Sequence, residues 1–189
     1  MQEGHKSGNV GTTYVRWGRK DCPTNSSELV YSGYAGGGKY DESGSAAEYI
    51  CLPPDPNFGT TTGGDRGRVY GAEYNSNFFG DIHSGSRDVP CAVCRTLEAS
   101  SVMMIPGKNQ CYPGWTTEYS GYLASNDHTW AAAGSYACVD NDIQFTTDDF
   151  ATDVTEYGKL FLEVVAKCGS LHCPPYKNNV PLTCVVCSK

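Results

Sequence analysis

Apolar residues recur along this chain in short alternating segments that end at glycine or proline. Residues 13–17 alternate small or polar with apolar side chains, which is the pattern of a half-buried strand. Pro53, Pro54 and Pro56 close another segment, because proline cannot donate to a strand ladder. The pattern predicts an all-β fold with strands at 13–17, 28–34, 48–52, 68–74, 89–96, 116–123, 135–139, 159–167 and 181–187.

Three other segments are assigned by composition. Residues 150–167 are the only segment with a claim to helix, and their β-branched and aromatic residues favour strand instead. Gly36-Gly37-Gly38 is predicted to be a loop that ends the second strand. A short apolar run at 101–105 leads to a turn at Pro106-Gly107.

Four landmarks of the first half of the chain recur in the same order in the second half. They are a cysteine followed closely by proline, a Tyr-Ser-Gly-Tyr sequence, a tyrosine two residues before a cysteine, and a closing Cys-x-x-Cys. This repetition predicts an internal duplication, with a polar tail at 1–11, a first repeat at 12–100 and a second at 101–189. Each repeat alone would leave its apolar face exposed, so we expect the two to pack about a pseudo-two-fold axis. The landmarks lie at Cys22, 31–34, Cys51 and Cys91/Cys94, and about 90 residues later at Cys111, 119–122, Cys138 and Cys184/Cys187.

Ten cysteines, 22 glycines and only 19% charged residues are typical of a secreted protein stabilised by disulfides. If each repeat is self-contained, its first two cysteines pair with its own closing Cys-x-x-Cys. Cys168 and Cys173 occur only in the second repeat and can close a small loop. The alternative is a zinc site of four thiolates at Cys91, Cys94, Cys184 and Cys187, which would leave the other repeat cysteines without a role.

The formal charge of −7 argues against a nucleic-acid partner and permits a bound cation. No apolar run approaches the roughly 20 residues of a membrane span, so no membrane insertion is expected. Residues 1–10 lack the apolar core of a signal peptide, and we expect the sequence to represent a mature form. The sequon Asn25-Ser26-Ser27 is compatible with secretion.

The duplicated motifs resemble the C-terminal non-collagenous domain of type IV collagen, over residues 12–189. They resemble still more closely the globular head of spongin-like short-chain collagens. The resemblance implies one domain of the collagen IV non-collagenous type, built from two homologous halves. It also implies the pairing that we favour: Cys22–Cys94, Cys51–Cys91, Cys111–Cys187, Cys138–Cys184 and Cys168–Cys173. The motifs that carry it are Tyr14-Val15-Arg16-Trp17-Gly18-Arg19, Val69-Tyr70-Gly71-Ala72-Glu73-Tyr74, Pro90-Cys91-Ala92-Val93-Cys94-Arg95, Asn109-Gln110-Cys111-Tyr112-Pro113-Gly114-Trp115, Tyr119-Ser120-Gly121-Tyr122 and Leu182-Thr183-Cys184-Val185-Val186-Cys187-Ser188-Lys189.

The sequence departs from the collagens because its 189 residues contain no Gly-X-Y repeat, so we expect a head without a collagen segment. A free-standing head of this kind is similar to galactose-binding lectins of sea anemones, which implies a calcium-dependent, galactose-specific lectin. We expect galactose-containing glycans as partners and a homodimer or higher homo-oligomer, since multivalency strengthens weak binding. The alternative is an extracellular-matrix assembly module that binds no sugar.

Calcium binds through oxygen ligands, about six to eight of them. The densest oxygen cluster follows Cys138 and includes Asp153, but it lacks the spacing of an EF-hand. A solvated acidic loop is the alternative interpretation. The candidate calcium ligands are Asp140, Asp142, Asp148 and Asp149.

Galactose presents an apolar face of C–H groups together with several hydroxyls, so an aromatic side chain beside amide and carboxylate groups suits it. The corresponding loop of the first repeat carries Tyr40, Asp41 and Glu42. The alternative is that the tryptophan of the second-repeat loop is simply buried while its polar residues form a turn. The candidate sugar-binding residues are Asn126, Asp127, His128 and Trp130.

Catalysis has little support in the sequence. Four histidines are scattered, no Gly-x-Ser-x-Gly is present, and the cysteines are expected to be oxidised. His83-Ser84 is a conspicuous pair, but neighbours in sequence rarely form a working pair. The sequence therefore predicts a binding protein and no enzyme.

Overall fold

A computed structural model of the chain describes residues 10–60, 64–80, 87–146 and 158–189. Across these residues the fold is almost entirely β, with eleven strands in a single sheet and one short 3-10 turn at Asn77–Phe79. The strands are β1 (Thr13–Trp17), β2 (Ser27–Gly37), β3 (Tyr49–Leu52), β4 (Tyr70–Tyr74), β5 (Arg87–Asp88), β6 (Pro90–Thr96), β7 (Val102–Pro106), β8 (Thr116–Ser125), β9 (Ala137–Asp140), β10 (Lys159–Glu163) and β11 (Thr183–Ser188).

The all-β prediction is confirmed, with differences at strand ends and two further strands, β5 and β7, that the sequence pattern did not predict. The assignment of Gly36 and Gly37 to a loop was wrong. Gly36 pairs with Ile50 on β3 and with Gly71 on β4, and these ladder contacts on both sides hold the segment extended. β10 stops at Glu163, four residues before the predicted end, and residues 150–157 lie outside the described part of the chain. No helix among the described residues is long and apolar enough to cross a membrane.

The two halves of the chain use corresponding strand pairings. In the first half β2 pairs with β6, β3 and β4, and β6 also pairs with β1. In the second half β8 pairs with β11, β9 and β10, and β11 also pairs with β7. This correspondence is what a duplicated chain would give, and the duplication itself stays a prediction.

The halves are joined at two parallel pairings. Trp17 of β1 lies opposite Val139 of β9, and Phe161 of β10 lies opposite Tyr74 of β4. These two junctions close a circuit of strand pairings that runs β8, β10, β4, β2, β6, β1, β9 and back to β8. The halves therefore share one sheet.

The glycines of the two Tyr-Ser-Gly-Tyr sequences occupy equivalent crowded positions. A Cβ atom on Gly33 would lie 1.9 Å from the carbonyl oxygen of Leu52, and one on Gly121 would lie 1.7 Å from that of Val139. No side chain fits at such distances, so β3 and β9 can cross close to the long strands only because glycine is present. The repeated motif thus has a packing reason in both halves.

All ten cysteines form disulfides, and none is free. The zinc alternative is therefore wrong, because its thiolates are oxidised. The pairing is the one that we favour from the sequence, and each bridge is expected to contribute about 2–4 kcal/mol. The bridges are Cys22–Cys94, Cys51–Cys91, Cys111–Cys187, Cys138–Cys184 and Cys168–Cys173.

The interior of the protein is shared by both halves. One apolar cluster packs Trp17 and Tyr49 of the first half against Phe161 of the second, with the Tyr49 and Phe161 ring centroids 4.1 Å apart. A second cluster packs Tyr14 against Tyr119, whose ring centroids are 6.3 Å apart. Neither half therefore has a complete core of its own.

A buried carboxylate also joins the halves. Glu118 at the start of β8 is 5% exposed. Its Oε2 atom lies 2.7–2.8 Å from the hydroxyls of Tyr14, Ser26 and Ser27, and its Oε1 atom accepts from Ser188 at 2.6 Å. Burial acts to raise the pKa of Glu118, but these hydroxyl contacts outweigh it and the pKa is lowered. The group is thus held as an ion inside the fold.

We expect Glu118→Gln to destabilise the protein by about 2 kcal/mol at neutral pH, because one oxygen acceptor becomes an NH₂ donor facing three hydroxyls. A carboxylate with a lowered folded-state pKa stabilises above its unfolded pKa of about 4.3, and this contribution is lost as the pH falls through the lower folded-state value. Denaturant unfolding from pH 7 downward should therefore show the difference between wild type and variant narrowing below about pH 4.

Glu28→Gln is the matched control for this experiment. Glu28 pairs with Arg95 at 2.9 Å on the surface, and its loss should cost less than about 1 kcal/mol. A pH-independent difference for Glu118→Gln would contradict the ionised assignment.

Candidate functional site

Two loops that follow the long strands of the two halves meet at one end of the fold. We call residues 38–48, after β2, and residues 126–136, after β8, the loop pair. The amide of Ala132 donates to the carbonyl of Tyr40 at 3.0 Å, and the amide of Ser135 donates to that of Ala47 at 3.0 Å. Backbone hydrogen bonds thus fix each loop against the other.

A buried lysine lies beneath the loop pair. Lys159 at the start of β10 is 0% exposed, and its Nζ atom donates to the carbonyls of Ala47 at 2.9 Å and Ala133 at 3.3 Å. The Nζ atom also lies 4.8 Å from the centroid of the Tyr49 ring. Burial lowers the pKa of Lys159, while the charge of Glu48 acts to raise it. One ammonium group therefore binds a carbonyl from each loop.

Each loop of the loop pair contributes one ring to an aromatic contact. The rings of Tyr40 and Trp130 contact each other with centroids 4.6 Å apart and an angle of 55° between their planes. Both side chains are half-buried, so part of each remains accessible to solvent. The alternative that Trp130 is simply buried is therefore only partly correct, because part of its side chain remains accessible to solvent.

The polar candidates beside Trp130 have different surroundings. Asn126 donates through Nδ2 to the carbonyl of Ala132 at 3.2 Å, while its Oδ1 atom is shielded from solvent and has no hydrogen-bond partner among the described residues. Asp127 accepts from the amide and hydroxyl of Thr129 at 2.8 and 2.7 Å. The side chain of His128 is 93% exposed. Asn126 and Asp127 thus help to shape the loop, as the alternative interpretation expected, and His128 projects from it.

Hydrogen bonds from Thr129 hold the pKa of the Asp127 carboxyl below its usual range. Asp127 is therefore a carboxylate at neutral pH. The loop pair combines this negative charge with an aromatic surface, two groups that suit a neutral polyhydroxylated ligand, whereas the amide of Asn126 is used within the loop.

The two described calcium candidates are engaged by arginines. Asp140 is 5% exposed, accepts from Nε of Arg16 at 2.8 Å through Oδ2, and accepts from the amide of Asp142 at 2.8 Å through Oδ1. Asp142 forms an ion pair with Arg19. The carboxylates therefore face guanidinium groups, whose positive charge opposes a second cation at the same oxygens.

Asp148, Asp149 and Asp153 lie outside the described residues, as do His83 and Ser84. Within the described ranges, no group of three or more acidic, histidine or cysteine side chains is placed to hold a metal ion. The described residues thus do not fit a calcium site, and calcium stays a prediction from the sequence.

Sequence reasoning identified Trp130 and the polar residues of its loop, but it missed Lys159. The segment Lys159-Leu160-Phe161-Leu162 gives no signal for such a role, because a lysine at the start of a strand is ordinarily exposed. Lys159 is buried only because both loops pack over the start of β10. A comparison with protein-family models finds none that matches the chain.

We expect Lys159→Met to destabilise the protein by about 2–4 kcal/mol, because two buried carbonyls lose a charged donor. The amides of Ala132 and Ser135 should also exchange hydrogen faster, since the loops lose their common anchor. Urea unfolding and hydrogen exchange measured by mass spectrometry test this. Lys177→Met, at an exposed lysine, is the control and should change neither quantity.

Proposed function

We propose that this protein is a secreted carbohydrate-binding protein, specific for galactose-containing glycans, whose binding site is the loop pair. The observation that carries the proposal is the half-buried Tyr40–Trp130 pair, which keeps part of its aromatic surface accessible, beside the polar groups of Asp127 and His128. Five disulfides support secretion, because such bridges persist in oxidising compartments.

The chemistry of the loop pair matches that of the ligand. The C–H face of galactose can pack against the accessible part of Trp130, where it loses contact with water. The ionised Asp127 can accept hydrogen bonds from sugar hydroxyls, and the exposed His128 ring can donate or accept one. No step of this proposal depends on a metal ion.

The loops are held before ligand arrives, which supports binding at low entropic cost. Lys159 and the backbone hydrogen bond from Ala132 to Tyr40 fix the geometry of the loops. A single shallow site of this kind binds weakly, so we further propose a homodimer or higher homo-oligomer that gains avidity on surfaces carrying many glycans.

An extracellular-matrix assembly module is the second candidate. Three large residues of β2 are about half exposed, namely Leu29 at 49%, Val30 at 54% and Tyr34 at 51%. Apolar exposure along one strand favours association with another protein surface. This function would not need the loop pair.

Calorimetric titration of the native protein with lactose tests the first proposal. We expect binding heat in the millimolar range with calcium present, and a repeat in EDTA determines whether calcium is required. If EDTA abolishes the binding heat, the calcium prediction is supported. If the binding heat persists in EDTA, lactose binding does not require calcium. No heat in either buffer, together with stable oligomers by sedimentation, would favour the matrix module instead.

Trp130→Ala should weaken lactose binding by about tenfold or more, because loss of an aromatic contact of about 1.5 kcal/mol corresponds to that factor. Trp115→Ala is the matched control, since Trp115 is also half-buried but lies outside the loop pair. The control should bind lactose as wild type does. Equal binding by both variants would place the sugar elsewhere.

A further inference from the structure

The chain contains a single Asn-x-Ser/Thr sequence, Asn25-Ser26-Ser27. Asn25 is exposed in the turn that leads into β2, where the amides of Ser26 and Ser27 donate to the carbonyl of Pro23 at 3.4 and 3.0 Å. We propose that Asn25 carries an N-linked glycan, attached before the chain folds, on the end of the molecule opposite the loop pair. This inference rests on the secretion proposed above, and it requires a secretory pathway that attaches glycans to asparagine.

The modification is a glycosyl transfer from a lipid-linked oligosaccharide diphosphate. The Nδ2 atom of Asn25 forms a bond to C1 of the first sugar and loses a proton, which passes to the departing diphosphate. The bond between C1 and the diphosphate oxygen breaks, and the lipid diphosphate leaves with the electron pair. Recognition by the transferase requires the hydroxyl of the third sequon residue, Ser27.

The folded structure makes that hydroxyl inaccessible. Ser27 is 5% exposed, its Oγ atom donates to Glu118 at 2.7 Å, and the hydroxyl oxygen of Tyr14 lies 3.1 Å from it. Glu118 belongs to the second half of the chain, so this burial is complete only when both halves are present. Transfer must therefore precede closure of the halves, whereas the exposed Asn25 side chain can keep its glycan afterwards.

A shallow groove beside Asn25 can receive the first sugar. It has a volume of about 370 Å³, and its lining includes Leu97, Thr116 and Lys189. Leu97 is 45% exposed, so the C–H face of a sugar ring can cover apolar surface there. A glycan at this position does not need to displace any packed side chain.

The strands place this groove far from the loop pair. β2 and β8 both begin at the groove, which Asn25 and Thr116 line, and both end at the loops that contain Tyr40 and Trp130. The 11 residues of β2 span about 35 Å when extended. The glycan therefore leaves the proposed binding site open.

The first experiment is secretion of the full chain from a eukaryotic cell line, followed by peptide-N-glycosidase treatment and intact-mass measurement. We expect wild type to lose a glycan mass with conversion of Asn25 to aspartate, and Asn25→Gln to show no change. Ser26→Ala removes one Glu118 contact but keeps the sequon, so it should stay glycosylated, whereas Ser27→Ala should not. Folded, secreted wild type without a glycan would overturn the proposal.

The second experiment tests the order of events and the position. Unmodified chain, offered to microsomal membranes, should accept a glycan when reduced and alkylated but not when folded and oxidised. Equal modification of both forms would refute transfer before folding. Glycosylated wild type and Asn25→Gln should bind lactose equally, and unequal binding would refute the distal placement. If neither form binds lactose, that result contradicts the proposed function and leaves the glycan proposal unaffected.

Discussion

Burial of charge at the junction between the two halves is the constraint on which this fold depends. Glu118, Asp140 and Lys159 all belong to the second half, and each is at most 5% exposed. Each takes at least one partner from the first half: the hydroxyls of Tyr14, Ser26 and Ser27, the guanidinium of Arg16, and the carbonyl of Ala47. An unpartnered buried charge is costly, so the second half cannot be satisfied alone. The two halves are therefore expected to fold as one cooperative unit.

The long strands β2 and β8 connect this junction to the loop pair. Ser27 and Glu118 lie near the first residues of β2 and β8, and their hydrogen bond joins the two halves. Tyr40 and Trp130 lie beyond the last residues of the same two strands. The disulfides Cys51–Cys91 and Cys138–Cys184 fix β3 and β9, the strands that begin where the loops end. Loops held at both ends by a rigid sheet are a common location for binding sites. The sheet thus fixes the positions of the two loops, and the loops carry the aromatic and polar side chains of the candidate site.

Much of the fold could be predicted because its signals are local. Alternation of apolar residues marked β1 without error, and the paired motifs indicated the cysteine connections that the structure contains. The errors arose where a partner strand changed the outcome, as at Gly36, which is extended because β3 and β4 flank it. Propensity describes an isolated segment, and pairing on both sides overrides it.

For the candidate site, the sequence determined the chemistry, and the tertiary structure decided its arrangement. The residue types around Trp130 could be recognised as suited to a sugar because an aromatic ring and polar groups lie within five residues. The contact of Trp130 with Tyr40, the anchoring of both loops by Lys159 and the capture of Asp140 by Arg16 join residues distant in sequence. Such contacts form only when the two halves close on each other, so no local pattern encodes them.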